Sequence, residues 1–162
     1  MPGAAFVRSH PAHLIAVGFG AGLLRPGPGT WGTAASWLLF AGLGQLVELP
    51  RAVAVLIGVL GLLVGTWAAG RAGAALGHHD AGEIVIDEIV AFWLVLSLLP
   101  AGNRPWLLQA VAFVLFRLFD ILKPAPIGWI ERRWPNAVGV MADDLMAGVY
   151  VVVVMQLWMR LS

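Results

Sequence analysis

The stretch Ile84-Val-Ile-Asp-Glu-Ile-Val-Ala-Phe-Trp-Leu-Val-Leu-Ser-Leu-Leu99 carries only two charges, and both lie near its start, at Asp87 and Glu88. A run this apolar is typical of a helix in the hydrocarbon core of a bilayer. A carboxylate at such a depth costs a few kcal/mol unless it is paired or bound to a metal. The stretch therefore predicts a membrane helix and also a functional role for its two acids.

Four more apolar runs cover residues 31–47, 52–69, 105–122 and 145–159. Each is close to the roughly 17–20 residues that cross a hydrocarbon core of about 30 Å. The chain has 162 residues, of which 60% are hydrophobic and 12% charged, so too little polar sequence remains to cover a soluble bundle. We predict an all-α, multi-pass membrane protein with about five hydrophobic helices, forming a single domain over residues 1–162. The short, Gly-rich segment 13–24 favours an additional interfacial or re-entrant helix rather than a cleavable signal peptide.

The basic residues predict the orientation of the chain. Alternating loops place seven basic residues on the side of the N-terminus and three, Arg51, Arg104 and Arg160, on the other side. The positive-inside bias makes the first side cytoplasmic.

Eight of the nine acidic residues fall within residues 80–88 and 120–144, at the predicted cytoplasmic boundary; only Glu48 lies elsewhere. The only lysine, Lys123, lies in the second of these stretches, and Arg117 lies three residues before it begins. Carboxylates beside Arg and Lys at a lipid–water boundary indicate a divalent metal and a phosphate, and hence an enzyme acting on a membrane phospholipid. The absence of cysteine excludes thiolate metal sites and cysteine-nucleophile phosphatases, and no basic patch indicates nucleic acid.

Several of these acids also have structural explanations. Asp80, Glu83 and Asp87 share one face if a helix begins near residue 80, yet acids in a first helical turn are favoured by the helix dipole alone. Asp143 and Asp144 suit the N-cap of the last helix, but beside the other carboxylates we interpret them as functional.

The basic groups and the first loop leave similar alternatives. Arg117 and Asp120 would form an intrahelical ion pair, whereas a lone lysine in a chain with nine arginines indicates a need for a compact ammonium at Lys123. Thr30 and Thr33, in the loop before the first long helix, are either phosphate-binding or part of a surface turn.

Five pieces of the chain, in this order, resemble the phosphatidylglycerophosphatase A family. They are Gly18-Phe-Gly-Ala-Gly-Leu23, Pro28-Gly-Thr-Trp-Gly-Thr33, His79-Asp80 with Ile84-Val-Ile-Asp87-Glu88, Phe116-Arg-Leu-Phe-Asp-Ile-Leu-Lys-Pro-Ala-Pro-Ile127, and Gly139-Val-Met-Ala-Asp-Asp-Leu-Met-Ala-Gly148. The resemblance implies a helical, Mg²⁺-dependent enzyme of the bacterial inner membrane that converts phosphatidylglycerophosphate to phosphatidylglycerol.

Combining the resemblance with the charge pattern, we assign an expected role to each site residue. The catalytic set is Asp80, Asp87, Asp120 and Lys123. The phosphate-binding set is Arg117, Lys123, Thr30 and Thr33. The ligands for Mg²⁺, with Mn²⁺ as a substitute, are Asp87, Glu88, Asp143 and Asp144. The nucleophile is left open between an aspartate and a metal-activated water.

Two alternative functions are less well supported. A phosphotransferase acting on another phospholipid would need the Asp-Gly-x-x-Ala-Arg core of the CDP-alcohol class, which the chain lacks. An ion-coupled transporter would place its carboxylates near the membrane midplane between repeated halves, whereas these charges lie at one face and no repeat is evident.

Overall fold

The computed structural model describes residues 3–99 and 105–161, and within those ranges all regular structure is helical. This confirms the predicted all-α class. The elements are α1 (Ala4–Ser9), α2 (Pro11–Ala16), a 3-10 segment (Gly18–Leu23), α3 (Pro28–Leu46), α4 (Arg51–Leu76), α5 (Ile86–Leu98), α6 (Pro105–Leu122), α7 (Ile127–Arg133) and α8 (Ala137–Leu161).

Helix α5 is the centre of the fold and packs against α3, α4, α6 and α8. Its Phe92 and Val95 side chains are buried in the main apolar core. Two side-chain hydrogen bonds fix its neighbours: Ser36 Oγ of α3 donates to Ile89 O (2.7 Å), and Trp93 Nε1 donates to Ala54 O of α4 (2.8 Å). Such bonds matter in an apolar environment because no water is available to satisfy the same groups.

Helix α4 approaches the centre closely through glycines. A Cβ at Gly58 would overlap Leu94, and one at Gly65 would lie 2.9 Å from Met141 Cε. Close backbone approach through small residues provides the van der Waals packing that holds helices together in lipid, where the hydrophobic effect between helices is weak.

Three described helices, α4, α6 and α8, are long and apolar enough to cross a membrane, fewer than the five that the sequence predicts. Helix α5 has 13 residues, and at about 1.5 Å per residue it falls well short of a core of about 30 Å. Helix α3 has 19 residues, but its first turns are rich in Gly, Thr and Ser, so its mean hydropathy is too low for a membrane span. The predicted apolar runs are present in the sequence, but the helices α3 and α5 that form in two of them are not long and apolar enough to count as membrane spans.

The start of α5 also differs from the prediction of a helix beginning near residue 80. Gly77, with φ 83°, ends α4 in the left-handed conformation that glycine adopts without a steric penalty. Residues 77–85 then form a loop, and α5 begins at Ile86. Asp80 and Glu83 therefore lie in a loop and not on the helix face of Asp87.

The N-terminal region is more broken than the single short helix expected over residues 13–24. It contains α2 and the 3-10 segment, whose path is kinked at Phe19 (φ 55°) and Gly20 (φ 110°). Val85 N donates to Ala16 O (2.9 Å), which attaches this region to the loop before α5. Arg104, used above to predict the orientation, lies outside the described residues.

Candidate active site

A cavity of about 210 Å³ lies where the N-terminal ends of α3, α5 and α8 meet the C-terminal end of α6. Among the described residues, its charged lining consists of eight that the sequence singles out, drawn from three helices and two loops: Asp80, Asp87, Glu88, Arg117, Asp120, Lys123, Asp143 and Asp144. The fold therefore brings together residues that are up to 64 positions apart, from 80 to 144.

Three carboxylates form the centre of this cavity. Asp87, Glu88 and Asp144 each offer an oxygen, and the three oxygens lie within 4.8 Å of one another. Asp87 and Asp144 are almost fully buried, and neither Glu88 Oε2 nor Asp144 Oδ2 has a hydrogen-bond partner in the ranges that the structure describes. Buried carboxylate oxygens without donors are strongly unfavourable unless a cation binds them. This cluster has the composition and spacing of a divalent-cation site.

Asp143, the fourth predicted ligand, is turned toward the cation Lys123. Its Oδ2 accepts a hydrogen bond from Lys123 Nζ (2.9 Å), and its Oδ1 accepts one from Asp144 N (3.0 Å). The structure thus groups three of the four predicted ligands and places the fourth beside them.

The explanation of Asp143 and Asp144 as helix caps is wrong. Helix α8 begins at Ala137, and Asn136 Oδ1 accepts hydrogen bonds from Val138 N (3.0 Å) and Gly139 N (3.1 Å). Because α8 begins at Ala137, the two aspartates lie well inside the helix. Asn136 already caps the helix, so capping does not explain the burial of the aspartates.

Arg117 lies between two acids. Its Nη1 is 2.7 Å from Asp120 Oδ2 on the same helix and 3.6 Å from Glu88 Oε1 on α5. Within the described part of the chain neither Nε nor Nη1 has a partner that meets hydrogen-bond geometry, although Nη1 is close to Asp120. The predicted ion pair with Asp120 is present, and the guanidinium retains donors for another acceptor in the cavity.

Lys123 stands immediately after α6 in an unusual backbone conformation, with φ 43°. Non-glycine residues in this region are uncommon and occur often at functional sites. The following Pro124 disfavours continuation of the helix, and the resulting turn directs the ammonium to Asp143.

Gly29, which sequence reasoning did not select, lines the cavity at the start of α3. A Cβ at this position would overlap Glu88 Oε1 and lie 2.9 Å and 3.0 Å from Arg117 Nη1 and Nη2. Glycine is therefore required for the close approach of α3 to the charged cluster. The available signal is the Pro-Gly pair at the start of the helix, in a segment that the sequence leaves open between a phosphate-binding site and a surface turn.

The two threonines of the same segment lie outside the cavity lining. Thr33 is buried and donates from Oγ1 to Gly29 O (2.8 Å), while Thr30 is exposed. Their predicted contacts with phosphate stay predictions.

Glu83 has a different partner from the other acids. Its Oε1 accepts a hydrogen bond from Arg25 Nη2 (2.7 Å), which links the loop before α3 to the loop before α5. Both loops contribute cavity-lining residues, Gly27 and Asp80 among them.

Comparison with known proteins agrees with the site. The family described as phosphatidylglycerophosphatase A matches residues 14–159. A phosphatidylglycerophosphatase A of Haemophilus influenzae is 42% identical over 153 residues, which is 93% of this chain and 91% of that protein. The corresponding protein of Escherichia coli is 39% identical over 144 residues, covering 87% of this chain and 79% of that protein.

A further relative differs in its assigned substrate. A putative phosphatidylinositol-3-phosphatase of Bacteroides thetaiotaomicron is 37% identical over 140 residues, covering 85% of this chain and 86% of that protein. No solved structure matches the chain. The match across nearly the whole sequence, together with relatives of about 40% identity, shows that this chain belongs to the phosphatidylglycerophosphatase A family.

Proposed function

We propose that this chain hydrolyses the phosphate monoester of phosphatidylglycerophosphate, releasing phosphatidylglycerol and phosphate, with a bound divalent cation at the cytoplasmic face of a bacterial inner membrane. The observation that carries the proposal is the meeting of Asp87, Glu88 and Asp144 with Arg117 and Lys123 in one cavity. The names of the Haemophilus influenzae and Escherichia coli relatives supply the substrate.

The charge balance of the cavity supports a cation requirement. Six carboxylates and two basic side chains of the described residues line it, and a phosphate monoester adds about 1.5–2 negative charges at neutral pH. An anionic substrate would be repelled from such a cavity without a compensating cation. The ligands are all oxygens, which suit Mg²⁺, or Mn²⁺ in its place, better than soft metals.

We expect the cation to be held by Asp87, Glu88 and Asp144, with Asp143 as the fourth predicted ligand. These residues would hold Mg²⁺ where it would supply polarisation of a phosphoryl oxygen and activation of a nucleophile. Arg117 would bind phosphoryl oxygens through its Nε and Nη1 donors, held in place by Asp120. Lys123 would act as a compact charge beside it.

Hydrolysis also needs groups that move protons. An oxygen that comes from water ends up bonded to phosphorus and gives up a proton, while the bond from phosphorus to the glycerol oxygen breaks and the glycerol oxygen takes up a proton. Asp80 and Asp120 line the cavity outside the three-carboxylate cluster. We assign general acid–base roles to this pair, and Asp87, the remaining predicted catalytic acid, would combine a catalytic role with cation binding.

The orientation of the helices supports a single membrane face for the site. Helices α4 and α6 end at the cavity end of the molecule, and α8 begins there. Arg71, Arg132 and Arg133 lie toward this end, whereas Arg51 and Arg160 lie at the opposite ends of α4 and α8. This distribution is the one expected if the cavity faces the cytoplasm.

The experiment is a phosphate-release assay on purified protein in detergent. The substrates are phosphatidylglycerophosphate, phosphatidate, lysophosphatidate and phosphatidylinositol 3-phosphate, the last because of the Bacteroides thetaiotaomicron relative. We expect release from phosphatidylglycerophosphate in the presence of Mg²⁺ and much slower release from the others. Preference for any other substrate in the set would contradict the proposed specificity.

A further inference from the structure

An apolar groove of about 230 Å³ runs between α5 and α8. It is lined from α5 by Ala91, Leu94 and Leu98, and from α8 by Leu145, Gly148 and Val149. The residues that line it are apolar side chains and one glycine.

The groove continues from the three-carboxylate cluster along both helices. Asp87, Ala91, Leu94 and Leu98 are spaced i, i+4, i+7 and i+11, which places them within roughly 40° of one face of α5. On α8, Leu145 follows Asp144 directly and Gly148 lies one turn beyond it. Because both helices begin at the cavity, the groove leads away from the carboxylates over about 10–12 Å.

The shape of the groove provides a floor and an open side. At its floor the helices touch, since a Cβ at Gly148 would lie 3.1 Å from Val95 Cγ2 and 3.7 Å from Ala91 O. Its walls are exposed at Val149 (52%) and Val153 (50%). The groove is therefore open toward the surface that faces lipid in a bilayer.

We propose that this groove holds one acyl chain of the phospholipid whose phosphate occupies the carboxylate cavity. This assignment rests on the proposed function. A chain that moves from bilayer to groove exchanges one apolar environment for another, so the groove adds little affinity. The groove instead orients the substrate: an acyl chain held along the face of α5 that carries Asp87 aligns the headgroup with the charged cluster. Misplacement of a reacting group by about 1 Å can cost about 10²-fold in rate.

A second apolar groove is less suited to this role. It is lined on α5 by Ile86 and Ile89, which project from other faces of the helix than Asp87 because successive residues turn by about 100°. A chain in this second groove would not continue the line of the carboxylates.

The test compares two lipid-facing valines of the same helix. Val149→Trp fills the α5–α8 groove, and Val154→Trp, at a position that is 39% exposed and outside the groove lining, is the matched control. Phosphate release is measured with dioleoyl phosphatidylglycerophosphate in mixed micelles and with its dibutanoyl analogue, whose chains are too short to enter the groove deeply. We expect Val149→Trp to lower kcat/KM for the dioleoyl lipid about tenfold or more and to leave the dibutanoyl value within about twofold of wild type, because only the long chain loses its orientation.

Three other results with the Val149→Trp and Val154→Trp variants would contradict the proposal. Equal behaviour of the two variants would overturn the groove assignment, and so would an equal loss on both substrates by Val149→Trp. A change in the oligomeric state of Val149→Trp would overturn it in favour of a contact with a second copy of the chain. If the wild type releases phosphate from neither substrate, the proposed function itself fails.

Photolabelling gives a readout that does not depend on turnover or on a variant. Phosphatidylglycerophosphate and phosphatidylcholine with the same diazirine-bearing acyl chain are crosslinked to the wild-type protein, and labelled peptides are identified by mass spectrometry. We expect the phosphatidylglycerophosphate probe to label residues 91–98 and 145–153 in preference. Equal labelling by phosphatidylcholine would mean that only bulk lipid fills the groove and would contradict the assignment.

Discussion

At the scale of single residues, Gly29 shows how closely the backbone approaches the charged cluster. We expect Gly29→Ala to lower kcat/KM about tenfold or more, because its Cβ would displace Glu88 and Arg117 and small misplacements at a reacting centre are costly. Phosphate release from phosphatidylglycerophosphate measures the effect.

Gly42→Ala, on the same helix, is the matched control. Apart from the adjacent residues and the nearby backbone of α3, no atom of the described residues lies within 4 Å of a Cβ at position 42, so this change should leave activity intact and stabilise α3 slightly through higher helix propensity. Equal activity of the two variants would show that Gly29 is not needed for the geometry of the site.

Lys123 provides a second test at this scale, because its charge can be kept while its shape is changed. We expect Lys123→Arg to lower activity clearly, since a forked guanidinium cannot replace the ammonium that contacts Asp143. Lys123→Ala should lose about 10²–10³-fold in rate, as is typical when one donor to a developing charge is removed. The control is Arg133→Lys, which keeps the charge at an exposed position of α7; wild-type activity in Lys123→Ala would exclude a role in phosphate binding.

At the scale of elements, α8 separates a structural polar residue from the functional ones. Asn136→Ala removes the N-cap of α8 and should lower the free energy of unfolding by about 1 kcal/mol, while activity per folded molecule stays near wild type. Asn136→Asp keeps a capping oxygen and should restore stability. The measurements are thermal unfolding in detergent and phosphate release. Loss of activity in Asn136→Ala without loss of stability would contradict this division of roles.

The start of α8 is a feature that the sequence alone does not reveal. The sequence favours a functional role for Asp143 and Asp144 because they accompany the other carboxylates at the same predicted membrane face. Their alternative role as caps was refuted only by the start of α8 at Ala137. Helix starts depend on local turns such as Asn136, which hydrophobic periodicity does not locate.

At the scale of the whole molecule, the convergence of the charged residues was predictable, but the number of spans was not. Residues 80–88 and 120–144 meet in one cavity because apolar helices leave few places for charge. The apolar run at residues 84–99 predicts a full span, but it contains a 13-residue helix that lies at the centre of the fold. Composition alone does not distinguish a helix buried in protein from one that crosses lipid.

The orientation of the molecule in the membrane is testable with cysteines, since the chain has none of its own. His78→Cys lies in an exposed loop at the cavity end, and Glu48→Cys lies in the exposed α3–α4 connection at the other end. We expect an impermeant thiol reagent added to intact cells to label position 48 and not position 78, because the basic residues favour a cytoplasmic cavity. Labelling of position 78 from outside, or of both positions from the same side, would contradict this orientation.

The central claim is that the three-carboxylate cluster holds a divalent cation on which phosphate release depends. The most direct measurement is a titration of the metal-stripped protein with Mn²⁺, followed by electron paramagnetic resonance and by phosphate release, in wild type, Asp144→Asn and Glu48→Gln. We expect saturable binding with activity rising in parallel in wild type and in Glu48→Gln, which removes the one acid outside the two acidic stretches. Asp144→Asn should bind Mn²⁺ about 10–100-fold more weakly, by analogy with other changes around metal sites, and should lose activity. Full turnover after exhaustive EDTA treatment, or wild-type binding and turnover in Asp144→Asn, would contradict the account.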